Sequence, residues 1–172
     1  MQFGGNRSSS DVAANDDQAE FDVYTYMLRT VGTAQYTIVA DSTLSRRIPA
    51  RSTCTQPEQT DCVPASSHAI EAWRDYLRKN EIRRGIPPLF PADLRVTMER
   101  DSRVEKTCRV PTVASFSRVG FDHDHSRAIL TMLFTTGKGP YPGCGGLSIM
   151  TVLLERHRGT WRRAAYIESL ET

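Results

Sequence analysis

Lysine is scarce in this sequence: only Lys79, Lys106 and Lys138 occur, and the rest of the 22 basic residues are arginine. A genome-wide codon bias accounts for that as readily as a function does. The 20 acidic residues leave a net charge of +2, too small a surplus to mark a nucleic-acid or membrane-surface binder. Nowhere is there an apolar run of the about 20 residues that a bilayer-crossing helix needs, so no transmembrane segment is expected. The stretch Met1 to Asp17 is rich in Gly, Ser, Asn and Asp and lacks the apolar core of a signal peptide. No internal repeat is visible. Gly137-Lys138-Gly139 is too short for a phosphate-binding loop, and no histidine is flanked by a serine or cysteine in a nucleophile-like motif. What remains is 172 residues with 39% apolar content, enough for one domain that buries about two-thirds of its unfolded surface.

Cysteine is present in an even set: Cys54, Cys62, Cys108 and Cys144. Cys54 and Cys62 bracket a polar, turn-rich segment with no core of its own. A bond there would order it by limiting the freedom of the unfolded chain. Pairing of strands near 112–121 and 127–136 around Asp122-His123-Asp124-His125 sets position 108 opposite about 140. The Gly/Pro-rich stretch after Gly137 then gives enough slack to bring Cys144 to Cys108. The pairing expected is therefore Cys54–Cys62 with Cys108–Cys144. Structural zinc prefers cysteines two to four residues apart, which neither pair provides. A zinc site through these cysteines and four unpaired thiols are the competing readings. Disulfides persist in oxidising compartments, so the cysteines favour a periplasmic or secreted protein whose export signal is not within this sequence.

Residues 1–16 read as a disordered tail and 17–172 as a single α+β domain. Asp17 with Glu20 has capping-box spacing, and Phe21, Tyr24, Leu28 and Val31 follow at helical intervals before Gly32. Tyr36 to Ala40 is a strand, and Asp41 to Ala65 a long polar connection. Ser66 or Ser67 caps a second helix whose buried stripe is Ile70, Trp73 and Leu77. Asn80 to Pro91 ends it. Thereafter the chain is β: Leu94 to Glu99, Val113 to Phe121, then Ala128, Leu130, Met132 and Phe134 on one face of a third strand with Ile129 and Leu133 on the other. Leu147 to Leu154 is apolar on both faces, as in a central strand, and Trp161 to Ile167 reads as an edge strand after the Arg158-Gly159 turn. Short turns between consecutive strands predict two helices packed on one face of a curved antiparallel sheet of about five strands, a meander.

Ser117-Arg118-Val119-Gly120-Phe121, the strand opened by Ala128, the turn Gly143-Cys144-Gly145, then Leu153-Leu154-Glu155 and Gly159-Thr160-Trp161 form a pattern. It resembles a group of uncharacterised bacterial proteins, many of them exported or lipid-anchored. About 60 residues resemble the group well, and the helix ending in Arg78-Lys79-Asn80 fits its middle region more weakly. The resemblance implies export and one β-rich domain, and no activity. Relatives often carry a second cysteine near the Cys-Gly turn, where this chain has Pro140-Tyr141-Pro142, so a cysteine pairing does not carry over. The element order also resembles ketosteroid-isomerase-like cone folds, an analogy of fold and not of function.

Asp122-His123-Asp124-His125 offers metal-ligand chemistry, with His123 and His125 the candidate ligands. The same residues are ordinary in a hairpin turn, and a solvated turn is the preferred reading. Asp41 and Glu99 at strand ends, and Ser117, Thr131 and Thr151 at inward positions, are the places where a pocket would have to find its chemistry. Arg46, Arg47 and Arg51, with Arg156, Arg158, Arg162 and Arg163, read as a solvated basic face before an anion grip. No catalytic residue and no cofactor are assigned. The expected function is a non-enzymatic extracytoplasmic binding or interaction module for a protein or small-molecule ligand. The alternative is a small hydrolase or isomerase with a pocket inside a cone-like sheet. Intact mass after alkylation without reductant should show no adduct on the native chain, and four adducts after reduction. Four modifiable thiols in the unreduced protein would remove the basis for export.

Overall fold

A computed structural model of the chain describes residues 9–30, 37–44, 66–99, 112–136 and 147–171. The elements are α1 (Ser9–Thr30), β1 (Thr37–Ala40), α2 (Ser67–Lys79), a short 3-10 helix (Ala92–Leu94), β2 (Val96–Glu99), β3 (Thr112–Phe116), β4 (Gly120–Phe121), β5 (Arg127–Thr136), β6 (Leu147–His157) and β7 (Thr160–Glu171). The α+β class is as expected. Among the described residues the sheet has seven strands, ordered β2-β1-β3-β5-β6-β7, with β4 pairing alongside β5. It is mixed, not an antiparallel meander of about five strands. β3, β5, β6 and β7 do run antiparallel in series. β1, however, lies between β2 and β3 and parallel to both. Parallel neighbours need a crossover rather than a hairpin. The long stretch between β1 and β2, which holds α2, is that crossover.

Side chains alternate across a strand, and β5 uses both faces. Ala128, Leu130, Met132 and Phe134 join Phe116, Val152 and Leu154 in a core against Phe21, Tyr24, Met27 and Leu28 of α1. Ile129, with Leu153 and Ile167, packs instead against Ala69, Ala72, Trp73 and Tyr76 of α2. The helices therefore cover opposite faces of the sheet, where the sequence pattern predicted one. Apolar residues on both faces of β5 and β6 are what permit this.

Both helices depart from their predicted form in ways that have physical causes. α1 begins at Ser9, so residues 9–16 are helical and not tail. Asp17 is not its cap; its carboxylate takes an Arg84 nitrogen at 2.6 Å. Asp16 and Asp17 gain order from ion pairs with Lys79, His125 and Arg84, which hydrophobic periodicity does not report. On α2, Ser66 is the cap, its Oγ accepting the Ala69 amide at 3.2 Å. The buried face is Ala69, Ala72, Trp73, Tyr76 and Lys79, with Ile70 and Leu77 at its margin. Two alanines let the helix axis close down on Gly120 of β4, which meets the backbone of Ala72 and Tyr76.

The strand predicted over Val113 to Phe121 is broken at Ser117–Val119. Asn80, capping the end of α2, spans the break: its Oδ1 accepts the Arg118 amide at 2.8 Å and its Nδ2 donates to the Arg118 carbonyl at 2.9 Å. A buried backbone pair that has lost its strand partner is thus satisfied by one side chain.

A methyl group at position 120 would fall inside contact distance of backbone atoms of α2, which cannot rotate away. Gly120→Ala is expected to destabilise the fold by about 3 kcal/mol, the upper part of the usual overpacking range. Urea unfolding midpoints of the two proteins measure it; a loss under about 1 kcal/mol would show that α2 shifts freely on the sheet.

Candidate functional site

The turn after β4, α2 and the neighbouring part of α1 gather chemistry-bearing side chains into two clusters. The first is buried. Lys79, whose side chain is 5% exposed, places Nζ 3.1 Å from Asp75 Oδ2, 3.2 Å from Asp16 Oδ2 and 3.6 Å from Glu20 Oε1. It lies 5.1 Å above the Phe121 ring. Arg118 reaches Glu20 Oε1 at 2.7 Å, while its Nε finds no partner among the described residues. The Tyr24 hydroxyl sits between Glu20 Oε2 at 3.1 Å and the Ser117 carbonyl at 3.0 Å. Burial, reinforced by the Glu20 charge, holds that phenol well above the ordinary tyrosine range, so it serves as a donor and not a base. His125 closes the cluster, its Nε2 3.1 Å from Asp16 and its ring stacked on Phe121.

Two carboxylates of α1 and one of α2 thus share a single ammonium. Deleting Lys79 from this set strands the buried Glu20 charge, a change of the kind that costs about 3–5 kcal/mol for a buried pair. Its design is structural: every acid in it already has a cation or a donor. A small pocket opens beside it, between α1 and residues 84–87, lined by Glu20, Phe21, Tyr24, Thr43, Arg84 and Ile86 among others.

The second cluster is at the surface, where α2 starts. His68 and Glu71 stand one turn apart on one side of α2, and His123 comes up from the turn to meet them. One ligand atom from each lies within 4.8 Å of the other two. Glu71 Oε2 and His123 Nδ1 are 2.9 Å apart, and the His68 and His123 rings stack at 5.6 Å. That hydrogen bond raises the His123 imidazole above its ordinary range and lowers the Glu71 carboxyl. Asp122 Oδ2 takes His68 Nδ1 at 3.0 Å. Asp122 is itself fixed by the Ser126 amide at 2.7 Å, the Ser126 hydroxyl at 2.6 Å and the Arg127 amide at 3.0 Å.

The structure therefore separates the two histidines paired in the sequence reading. His123 joins the surface cluster, and His125 turns to Asp16 and Phe121. The positive φ of His125, 52°, is where the chain reverses between them. His68 and Glu71 were missed because a helix first turn and a hairpin far along the chain share no local pattern. Lys79 and Asp75 were missed because a lysine in a last helical turn normally faces solvent. Ser117, Thr131 and Thr151 are fully buried. Glu99 lies opposite Ala40 at the end of β2, and the Asp41 carbonyl accepts the Ile86 amide at 2.8 Å. Arg156, Arg158, Arg162 and Arg163 are exposed. Arg156 lies over Trp161 and Arg163 over Tyr166, at 5.7 and 4.2 Å. His157 is exposed at the end of β6. Cys54, Cys62, Cys108 and Cys144, the arginines at 46, 47 and 51, and Gly137-Lys138-Gly139 lie outside the described residues.

Fold and clusters together define an α+β domain with a mixed sheet, a helix on each face and a charged edge at β4. No helix among the described residues is long and apolar enough to cross a membrane. No protein-family model, no curated protein and no solved structure matches the chain.

Asp75 supplies a pH test of the buried cluster. Burial pushes its carboxyl up, but the Phe121 amide, Lys79 and Arg78 outweigh burial and leave it below the ordinary value of 3.8. A carboxyl lowered by folding stabilises fully above its unfolded value and loses that contribution as pH falls through the lower folded one. Asp75→Asn should lower stability at neutral pH and flatten the fall in thermal midpoint below pH 3.8. An unchanged acid limb in the variant would show that Asp75 does not carry it.

Proposed function

We propose that the protein is an extracytoplasmic binding or interaction module and not an enzyme. The observation that carries this reading is the state of the inward positions facing α2. Thr131 and Thr151, opposite each other on β5 and β6, bond hydroxyl to hydroxyl at 2.8 Å. The Tyr76 hydroxyl meets Thr131 Oγ1 at 2.7 Å, and Ser117 Oγ accepts the Thr131 amide at 2.8 Å. These were the polar groups on which a pocket inside the sheet would depend, and they satisfy one another. Buried polar groups with complete partners specify a packed interior and leave no free group for a substrate. The even cysteine set and the resemblance of the last third to exported bacterial proteins support the location.

The pocket between α1 and residues 84–87 favours a second reading, a small hydrolase or isomerase working there. Against it, Glu20 is already held by Arg118, Lys79 and Tyr24, and Tyr24 keeps its proton. Neither is poised to take a proton from a substrate.

Methyl NMR of the native chain under xenon tests the proposal. The Thr131, Thr151 and Met132 methyls should not shift if the interior is filled. Saturable shifts at those methyls would expose an internal cavity and bring the pocket enzyme forward.

A further inference from the structure

We infer that His68, Glu71 and His123 form a binding site for one divalent transition-metal ion of the zinc class. Two imidazoles and a carboxylate are the donor set that such an ion takes, whereas magnesium and calcium call for oxygen ligands throughout. The ligand atoms lie within 4.8 Å of one another. Tetrahedral zinc with bonds of roughly 2.0–2.1 Å needs neighbouring ligands about 3.4 Å apart, so a contraction of at most about 1.4 Å suffices. The three side chains have room for it, being 44%, 44% and 64% exposed for His68, Glu71 and His123.

Chance proximity would not explain how the rings are held. A metal-bound histidine commonly gives its second ring nitrogen to a carboxylate, which fixes tautomer and orientation. Both histidines have that arrangement. His68 Nδ1 is on Asp122 at 3.0 Å, which leaves Nε2 for the ion. His123 Nε2 is 3.1 Å from Asp124 while Nδ1 faces Glu71 at 2.9 Å. The ion would replace the proton now shared by His123 Nδ1 and Glu71 Oε2, releasing it to water. The Asp122 carboxylate is inaccessible to solvent and anchored by the Ser126 and Arg127 amides, so the first ring is set before any ligand arrives. Glu71, Asp122 and Asp124 also bring negative charge that offsets the positive end of α2. Three protein ligands leave at least one position to water or to a partner's donor atom. The site shares no residue with the threonine network that carries the binding-module reading, so either can fail without the other.

The test uses the full native chain, free of any affinity tag, titrated with Zn²⁺ against a chromophoric chelator and with Co²⁺ by visible absorption. One equivalent of Zn²⁺ should bind. His68→Ala and His123→Ala should each weaken it at least about 10-fold, and Asp122→Asn by about 10–100-fold, as for the loss of a carboxylate behind a metal-bound histidine. His157→Ala should leave binding unchanged. Circular dichroism of each variant confirms that it is folded, and exposed His123 gives a variant that keeps its fold whatever happens at Asp122. Parent protein that binds no Zn²⁺, variants that bind it equally well, or a sulfur-to-cobalt charge-transfer band assigning the ion to cysteine would each overturn the site.

Discussion

The ammonium of Lys79 is the constraint on which the arrangement of this molecule turns. α1 and α2 lie on opposite faces of a sheet and have no apolar seam in common. Near the end of β4, Lys79 of α2 binds acids of both helices. A hydrophobic contact in its place would be indifferent to angle. Three carboxylates converging on one cation are not, because a lost contact leaves the buried Lys79 or Glu20 charge short of a partner. The same cluster sets the edge of β4: the Asp75 carboxylate accepts the Phe121 amide at 3.0 Å. A two-residue strand thus has β5 on one side and an α2 side chain on the other.

From that anchoring follows the geometry of the surface site. Gly120 brings α2 down onto β4, Lys79 and Asp75 fix its far end, and Asn80 ties it to the broken strand. With α2 so held, its first turn is carried over the β4–β5 turn. His68 and His123 can then face each other although 54 residues separate His68 from the Asp122 that orients it. The interior positions are packed, and the cluster of side chains able to take a ligand lies at the rim.

How much of this was legible in the sequence depends on the range of each interaction. Period-two alternation in Ala128 to Phe134 and the apolar run of Leu147 to Leu154 marked β5 and β6, because those patterns are local consequences of the pleat. The Asp122 to His125 reversal and the Arg158-Gly159 turn were equally visible, the latter with positive φ at both residues. β1 between two parallel partners was not, since pairing across a crossover leaves no trace in neighbouring residues. The face of α2 was misplaced for a related reason: Ile70 and Leu77 outweigh Ala69 and Ala72 in hydrophobicity, but the smaller residues are what a close helix–sheet approach demands. The candidate metal chemistry was half seen. His123 stood out in its run, while His68 and Glu71 looked like any exposed first turn.

β7 is the outermost strand on its side, and among the described residues nothing pairs with its free flank. Along this twelve-residue strand about half of the amides and carbonyls point away from β6 and would invite another chain to add itself. Arg162 and Arg163 sit there in the open, Arg163 lying across Tyr166. Like charges brought face to face repel, so a second copy pairing antiparallel in the short register centred on Arg162 and Arg163 would meet guanidinium against guanidinium. Charge at that end of an open edge is one way a sheet discourages the approach of a further strand, and it needs no anionic ligand.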